Sequence, residues 1–225
     1  MVKNREQTIH DYLNQYGIAS VFPERVQRSM QLENLALGDC LLSQGDISQS
    51  LYLLVEGKLK ISMLSPEGKR LILAFKTPFD LIGDIEYIQQ CPLINTVEVV
   101  TDSRVIRIPY EVLRKEMENH VPWLQFLLGT ITQKFKMKSQ AMNFNLFYPV
   151  DVRLASYLLS MTPKQPQLDS ASLIDIADLI GTSYRHLNRV LQQFEKAGWI
   201  TKKRGKITVL DRSSLLAEAG QNIYE

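Results

Sequence analysis

One stretch near the carboxyl end, residues 174–191, constrains the fold more than any other part of the chain. Ile176, Ala177 and Ile180 recur there at helical spacing, which predicts a short helix with one buried face. Gly181 follows directly, and a tight corner between two helices needs a residue that adopts a positive φ at little cost. Because apolar side chains at helical spacing resume after this glycine, the stretch predicts a helix-turn-helix.

The second predicted helix, residues 182–195, carries side chains suited to contacting the edges of bases. Ser183 is a candidate N-cap, and Leu187 and Val190 are expected to point inward. The outward positions carry hydrogen-bonding and basic groups, which can distinguish base pairs in a major groove. The candidates for base contacts are Tyr184, Arg185 and Arg189. The side chains expected to assist them or to contact phosphate are Ser183, His186 and Asn188.

Positive charge is concentrated near this helix rather than spread over the chain. The 225 residues carry 26 lysines and arginines against 24 acids, a net charge of only +2. Between Arg185 and Lys206, however, seven basic residues accompany a single acid, Glu195. Residues 198–210 predict a strand, a basic turn and a second strand, which together form a wing. The side chains expected to contact backbone phosphates, one of them at the start of the first helix, are Lys202, Lys203, Arg204, Lys206 and Ser172.

Short strands dominate the amino-terminal half, from about Leu32 to Pro109. Residues 51–55 form an apolar run, and turn signals at residues 65–68 and 101–103 separate later segments of alternating apolar residues. Many short strands with glycine and proline turns predict an antiparallel double sheet or roll, with room for a small polar ligand inside. Together with the helical carboxyl-terminal half, this pattern predicts an α+β fold.

A long helix is predicted from about Val121 to Asn145. Apolar residues recur along it at alternating spacings of four and three, which is typical of a coiled-coil seam. The seam consists of Leu124, Leu128, Ile131, Phe135, Lys138 and Met142, and all of its members but Lys138 are candidates for a dimer interface. A second apolar edge, formed by Trp123, Phe126 and Leu127, can pack on the helix's own domain. The two edges together predict a homodimer, and the alternative is that both pack within one subunit.

These patterns predict three domains. Residues 1–109 form a sensor roll with N-terminal helices, residues 110–148 the dimerisation helix region, and residues 149–225 the DNA-binding domain. The polar, proline-containing segment 162–167 is expected to be a surface loop. No apolar run approaches the roughly 18 residues that a membrane span needs, and the chain begins with a polar stretch. We therefore expect a cytoplasmic, nucleoid-associated protein with no membrane contact.

Several motifs spread over the chain resemble one known family. They are Gly38-Asp39 with Gln44-Gly45-Asp46, Leu51-Tyr52 with Glu56-Gly57, Phe79-x-x-Ile82-Gly83-Asp84, and the helix-turn-helix of residues 174–191. From Leu32 to Leu210 the chain is similar to the CRP/FNR family of bacterial transcription regulators. The resemblance implies a β-roll of the cyclic-nucleotide-binding type, a long dimerisation helix and a winged helix-turn-helix.

The resemblance also implies how such a protein acts. A dimer would place two recognition helices in successive major grooves of double-stranded DNA, about 34 Å apart, so a near-palindromic operator is expected. RNA polymerase is the expected protein partner, and activation is commoner in the family than repression. Arg189 matches an arginine with which several members bind guanine. Arg185 stands where many members have glutamate, so the operator should differ from the familiar half-site.

In the roll, the resemblance implies an effector pocket formed by Gly83, Asp84, Ile85, Glu86, Asn95 and Thr96. In relatives that bind cyclic nucleotides, the first of these segments is a short helix whose backbone amides hold the cyclic phosphate. Those relatives have a glutamate where Asp84 stands and an arginine–serine pair where Asn95 and Thr96 stand. Because a buried phosphate needs a charge-assisted contact, cyclic AMP is not the expected effector, and the effector is unknown.

No cofactor or metal is expected to be required. An iron–sulfur cluster usually takes four thiolates, and the chain has two cysteines, Cys40 and Cys91. Both are expected to be small buried side chains, with a thiol sensor as the alternative. His10 and His120 are the candidate ligands if haem were bound, but a histidine in a polar stretch is more often an ordinary surface residue.

Two other classes of function compete with this interpretation. A cyclic-nucleotide-type sensor module acting through protein partners would explain the roll without DNA, but it leaves the block of residues 174–206 without a role. An enzyme is not expected, because the sequence has no glycine-rich phosphate loop with lysine, no metal-ligand spacing and no nucleophile elbow. Asp84 and Glu86 are the one candidate carboxylate pair, at a position that binds ligand in the family.

Overall fold

The structure, a computed structural model, describes residues 7–66, 68, 70–162, 167–168, 173–203 and 205–220. The chain divides into two compact units, Met1–Gln133 and Lys134–Glu225. This division falls inside the long helix, and the domain limits placed at residues 109 and 148 stay a prediction.

Strands dominate the first unit and helices the second. The helices are α1 (Ile9–Gln15), α2 (Glu24–Gln27), α3 (Asp84–Gln89), α4 (Tyr110–Met117), α5 (Val121–Phe147), α6 (Val150–Met161), α7 (Leu173–Leu179), α8 (Tyr184–Lys196) and α9 (Arg212–Ala219), with a 3₁₀ turn at Ala19–Val21. The strands are β1 (Gln31–Leu35), β2 (Cys40–Leu42), β3 (Ser50–Leu64), β4 (Arg70–Lys76), β5 (Leu81–Ile82), β6 (Thr96–Pro109), β7 (Gln167–Leu168), β8 (Ile200–Lys203) and β9 (Lys206–Val209).

The first unit is built on one antiparallel sheet. Its strands follow the order β1-β6-β3-β4, with β2 paired to β6 and β5 paired to β3. The two long strands β3 and β6 run alongside each other, and the shorter strands pair with parts of their length. This arrangement confirms the predicted antiparallel fold of the amino-terminal half.

The turn predicted at residues 101–103 is wrong, because β6 continues through it. The register of β3 against β6 shifts three times in this region, between Leu54 and Leu59. Gly57 has a φ of +88°, and a Cβ placed on it would lie 2.2 Å from Oγ of Ser103. The two backbones thus approach closely at a shared irregularity. The polar residues that suggest a chain reversal mark a bulge within a continuous strand.

The core of the first unit lies between the sheet and helices from both ends of the unit. Tyr12 and Leu13 of α1 and Leu113 of α4 are buried in it. Trp123 and Leu127 of α5 are buried in the same cluster, and Phe126 packs against it. The predicted second edge of α5 is therefore confirmed as the edge that packs on the helix's own domain.

Most apolar side chains of the seam on α5 are exposed, in contrast to those of the second edge. Leu128 is 67% exposed and Phe135 is 71% exposed, and Leu124 and Met142 are exposed as well. Ile131 departs from this pattern, because it is partly buried and packs against the core of the first unit. Although α5 has 27 residues, neither it nor any other described helix is apolar enough to cross a membrane.

The two cysteines are not buried, contrary to the prediction. Cys40 is exposed and Cys91 is partly buried. The pairing of β2 with β6 shifts register between Cys40 and Leu42. Leu42 is buried in a small cluster of the sheet, whereas Cys40 stays outside. In a short strand with an irregular register, the residue type alone does not determine whether a side chain is buried.

In the second unit, α6, α7, α8, α9, β8 and β9 enclose a separate core. Two elements were not predicted from the sequence. Gln167, expected in a loop, lies in β7 and pairs with Thr208 of β9, whereas residues 163–166 of that loop lie outside the described part of the chain. The other element is α9, which begins after Asp211, whose side chain accepts a hydrogen bond from the backbone N–H of Ser214. That N-cap was the available sequence signal.

Candidate nucleic-acid interface

The turn between α7 and α8 is held by hydrogen bonds from both sides. Gly181 has a φ of +66°, as the sequence predicts, and the N–H of Thr182 donates to the carbonyl of Ala177 at 2.8 Å. Arg153 of α6 donates from Nη1 to the carbonyls of Ile180 and Gly181. Arg153 is only 8% exposed, so this cation lies beneath the turn. This contact was not predicted from the sequence, because its partners are 27 and 28 residues apart.

The helix α8 begins at Tyr184, two residues after the predicted start. Ser183 is its N-cap, and its Oγ accepts from the N–H of His186 at 3.2 Å. The inward face is buried and includes both residues predicted for it, Leu187 and Val190, together with Leu191 and Phe194. The structure thus confirms the predicted cap and the predicted inward face.

The outward face of α8 presents the predicted polar side chains to different extents. Tyr184 is 50% exposed, and Ser183, Arg185 and Arg189 are exposed. His186 and Asn188 are partly buried. Their side chains also make local hydrogen bonds: Nη2 of Arg189 lies 2.9 Å from Nε2 of His186, and Asn188 accepts from Nζ of Lys202.

The wing, β8 and β9 with the turn between them, is tied to α8. Besides the 3.4 Å bond from Lys202 Nζ to Asn188 Oδ1, the carboxylate of Glu195 accepts from the backbone N–H of Lys202 at 3.0 Å. Lys203 pairs with Lys206 across the end of the hairpin, and all three lysines are exposed. The two other predicted phosphate contacts, Ser172 and Arg204, lie outside the described residues.

The bonds between α8 and the wing give Asn188 and Glu195 structural roles that were not predicted from the sequence. Glu195, the single acid in the basic block, is used to fix the first strand of the wing. Its isolation among cations was the available signal. The arrangement joins the outward face of α8 and the exposed lysines of the wing into one basic surface, which is suited to the phosphates and base edges of a duplex.

The candidate effector pocket contains two buried acids, Asp84 and Glu86. Asp84 is 4% exposed and Glu86 is 8% exposed, whereas Ile85 between them is exposed. Oε1 of Glu86 accepts from the N–H of Ile94 at 3.1 Å. Gly83 directly precedes helix α3, which contains both acids, and has a φ of +87°. Its carbonyl accepts from the hydroxyl of Tyr110 at 2.7 Å.

The remaining pocket residues supply hydrogen-bonding groups without positive charge. Thr96 accepts from the N–H of Gln44 at 3.1 Å, and Asn95 is partly buried. No lysine or arginine occurs in the sequence between Lys76 and Arg104. Burial raises the pKa of Tyr110 to about 12, and the nearby acids contribute to the rise. The tyrosine therefore stays protonated and donates its hydrogen bond at all ordinary pH values.

Models of known protein families match both the strand-rich amino-terminal part and the helix-turn-helix part of the chain. A model of the cyclic nucleotide-binding domain matches residues 32–120, and a model of the Crp-like helix-turn-helix domain matches residues 152–218. The chain belongs to the CRP/FNR family. Members of this family are transcription regulators and not enzymes, and this member is a CRP/FNR-type DNA-binding transcription regulator.

Individual relatives are distant but similar over most of their length. A CRP-like cAMP-activated global transcriptional regulator of Mycobacterium tuberculosis is 23% identical over 198 residues, covering 84% of this chain and 88% of the relative. The fumarate and nitrate reduction regulatory protein of Vibrio cholerae is 26% identical, covering 81% and 76%. A CRP/FNR-family regulator from Eubacterium rectale shares the fold, with a TM-score of 0.78, 21% identity, and coverage of 90% and 100%.

Proposed function

We propose that this CRP/FNR regulator acts as a homodimer that binds a near-palindromic operator through two copies of α8. The observation that carries the proposal is the basic surface formed by the outward face of α8 and the lysines of the wing. In this mode the wing lysines would bind phosphates, and Tyr184, Arg185 and Arg189 would bind base edges. The regulator would act in the cytoplasm, where the DNA is, with RNA polymerase as its partner and activation as its expected effect.

The seam on α5 supports the dimer. Four of its apolar members, Leu124, Leu128, Phe135 and Met142, are exposed in the single chain. Apolar side chains at alternating spacings of four and three match a second helix of the same kind, because each inserts between side chains of its partner. A second copy of this chain would remove them from water.

Control would run through this paired helix. An effector in the roll, or a partner on its surface, changes the way the two copies of α5 meet only if it binds two arrangements of the dimer with different affinity. A change in that pairing would rotate the DNA-binding units relative to each other. We propose that the natural effector is not cyclic AMP and that no cofactor is required.

Titration with cyclic AMP tests the proposed effector preference. We expect no saturable binding by calorimetry at millimolar nucleotide, because Asp84 and Glu86 are buried acids and no cation stands at positions 95 and 96 to pair with the phosphate. The M. tuberculosis relative, named as cAMP-activated, is the positive control. Saturable micromolar binding to this chain would contradict the prediction.

Replacing Arg189 tests the proposed mode of DNA binding. An operator is first selected from random duplexes by the wild-type protein. Arg189→Ala is then expected to weaken binding by roughly 1–3 kcal/mol per half-site and to relax the preference at one base pair, because a bidentate contact to guanine is lost. Competition binding with all single-base variants of the half-site measures both effects.

The matched control for this experiment is Lys203→Ala, in the wing. It removes a phosphate contact and should weaken binding evenly across sequences while reducing the salt dependence. If Arg189→Ala also weakens all sequences evenly, Arg189 contacts only phosphate. If the wild-type chain selects no sequence under any condition, the DNA-binding mode proposed here is wrong and the sensor-module alternative is favoured.

A further inference from the structure

A hydrogen bond on the outward face of α8 orients Arg189. Its Nη2 lies 2.9 Å from Nε2 of His186, three residues earlier in the helix. Arginine carries N–H donors and no acceptor. The imidazole Nε2 must therefore accept, which requires the neutral ring with its proton on Nδ1. The bond has a fixed direction, from the guanidinium to the imidazole.

His186 is well placed to act as a fixed acceptor. It is the third residue of α8, and its backbone N–H donates to Oγ of the N-cap Ser183 at 3.2 Å. Its side chain is partly buried, whereas that of Arg189 is exposed. A partly immobilised ring thus meets the end of a long side chain that would otherwise sample many rotamers.

No carboxylate competes for Arg189 among the residues that the structure describes. Glu195, the acid on the same helix, accepts from the backbone N–H of Lys202. Asn188, the neighbouring polar side chain, accepts from Nζ of the same lysine. The guanidinium therefore keeps its charge available for DNA, and His186 is the hydrogen-bond partner that directs it.

We propose that His186 is a positioning residue that determines the base preference of Arg189. The inference rests on the proposed DNA-binding function. A bidentate contact to O6 and N7 of guanine needs the planar guanidinium in one orientation, and a flexible arginine loses conformational freedom when it adopts it. The bond to His186 uses one of the five N–H groups and leaves four for the base. Discrimination in favour of guanine then depends on an acceptor at position 186.

Two kinds of substitution at position 186 test the proposal. His186→Ala and His186→Leu remove the acceptor, whereas His186→Gln keeps one. Each is measured against operator duplexes carrying each of the four base pairs at the position that Arg189→Ala identifies. We expect the first two to lower the preference for guanine about fivefold to tenfold, and His186→Gln to retain most of it. Gln192→Ala, an exposed position on the same helix, should leave the preference unchanged.

The same substitutions in the Arg189→Ala background separate positioning from a structural role. There His186→Ala should have no further effect on base preference, because the side chain that it positions is gone. Thermal unfolding identifies variants that have lost their fold. If His186→Ala is one of them, His186→Leu replaces it in the comparison, because leucine is closer to histidine in size.

Two results would overturn the proposal. One is an unchanged base preference in His186→Ala, with or without an equal loss of affinity for all four base pairs, and the other is an undiminished effect in the Arg189→Ala background. If the wild-type protein selects an operator and either result is obtained, only this inference fails. If the wild-type protein selects none, the DNA-binding mode fails and this inference with it.

Discussion

Replacing Leu128 and Phe135 with glutamate is expected to convert the dimer into monomers and to lower operator affinity about 100-fold or more. Both side chains are more than two-thirds exposed in the single chain and belong to the seam. Four buried carboxylates per dimer would cost far more than the apolar contacts contribute. The loss in affinity follows because two linked half-site contacts gain 10²-fold to 10⁴-fold over a single one.

Analytical ultracentrifugation and fluorescence anisotropy measure the two effects on the same preparations. The matched control is Gln133→Glu with Gln140→Glu, which adds the same charge at exposed positions on the side of α5 opposite the seam. This control should remain dimeric and bind the operator normally. A wild-type protein that is monomeric at micromolar concentration, or a Leu128→Glu/Phe135→Glu variant that stays dimeric, would contradict the proposed interface.

Replacing Arg153 with methionine is expected to destabilise the second unit by about 3 kcal/mol. The guanidinium donates to the carbonyls of Ile180 and Gly181, just beyond the end of α7, and it is nearly fully buried. Ile180 is buried, and a buried carbonyl left without a donor costs about 1–3 kcal/mol, whereas Gly181 is exposed and the loss of the bond to its carbonyl adds less. The positive charge also complements the negative end of the helix dipole of α7. Methionine keeps much of the side chain's apolar volume, so the change isolates the polar loss.

Urea unfolding followed at Trp199 measures this loss. Trp199 packs against Phe194 in the second unit, whereas the chain's other tryptophan, Trp123, is buried in the first unit and is replaced by phenylalanine in all samples. Arg185→Met removes an exposed arginine from the same unit and should change stability by less than about 0.5 kcal/mol. Equal stabilities of the two methionine variants would show that Arg153 does not hold the turn.

The helix-turn-helix was predictable because its signals are local. The positive φ of Gly181, the cap at Ser183 and the inward face of α8 each depend on residues within one or two turns of helix. The antiparallel pattern of the roll was predictable for the same reason, since alternating apolar residues and short turns are local properties. The CRP/FNR motifs combine such signals over the whole chain.

The candidate effector pocket was only partly predictable. Its residue types show that a cation is missing near Asn95, and the structure adds that Asp84 and Glu86 are buried. Burial could not be predicted because it depends on which distant parts of the chain pack over a side chain. The hydrogen bond from Tyr110 to Gly83 is equally non-local, since its partners are 27 residues apart. The exposure of Cys40 was mispredicted because it depends on a register shift between β2 and β6.

The class of each segment, the outward face of α8 and the concentration of basic residues around it follow from the amino-acid sequence, because periodicity, caps and charge are properties of neighbouring residues. Which groups meet across the second unit depends instead on how the elements pack. This packing brings Arg153 of α6 beneath the turn and Lys202 of the wing to Asn188 of α8. Such pairs join residues from different elements, and their contacts are created by packing rather than by spacing along the chain.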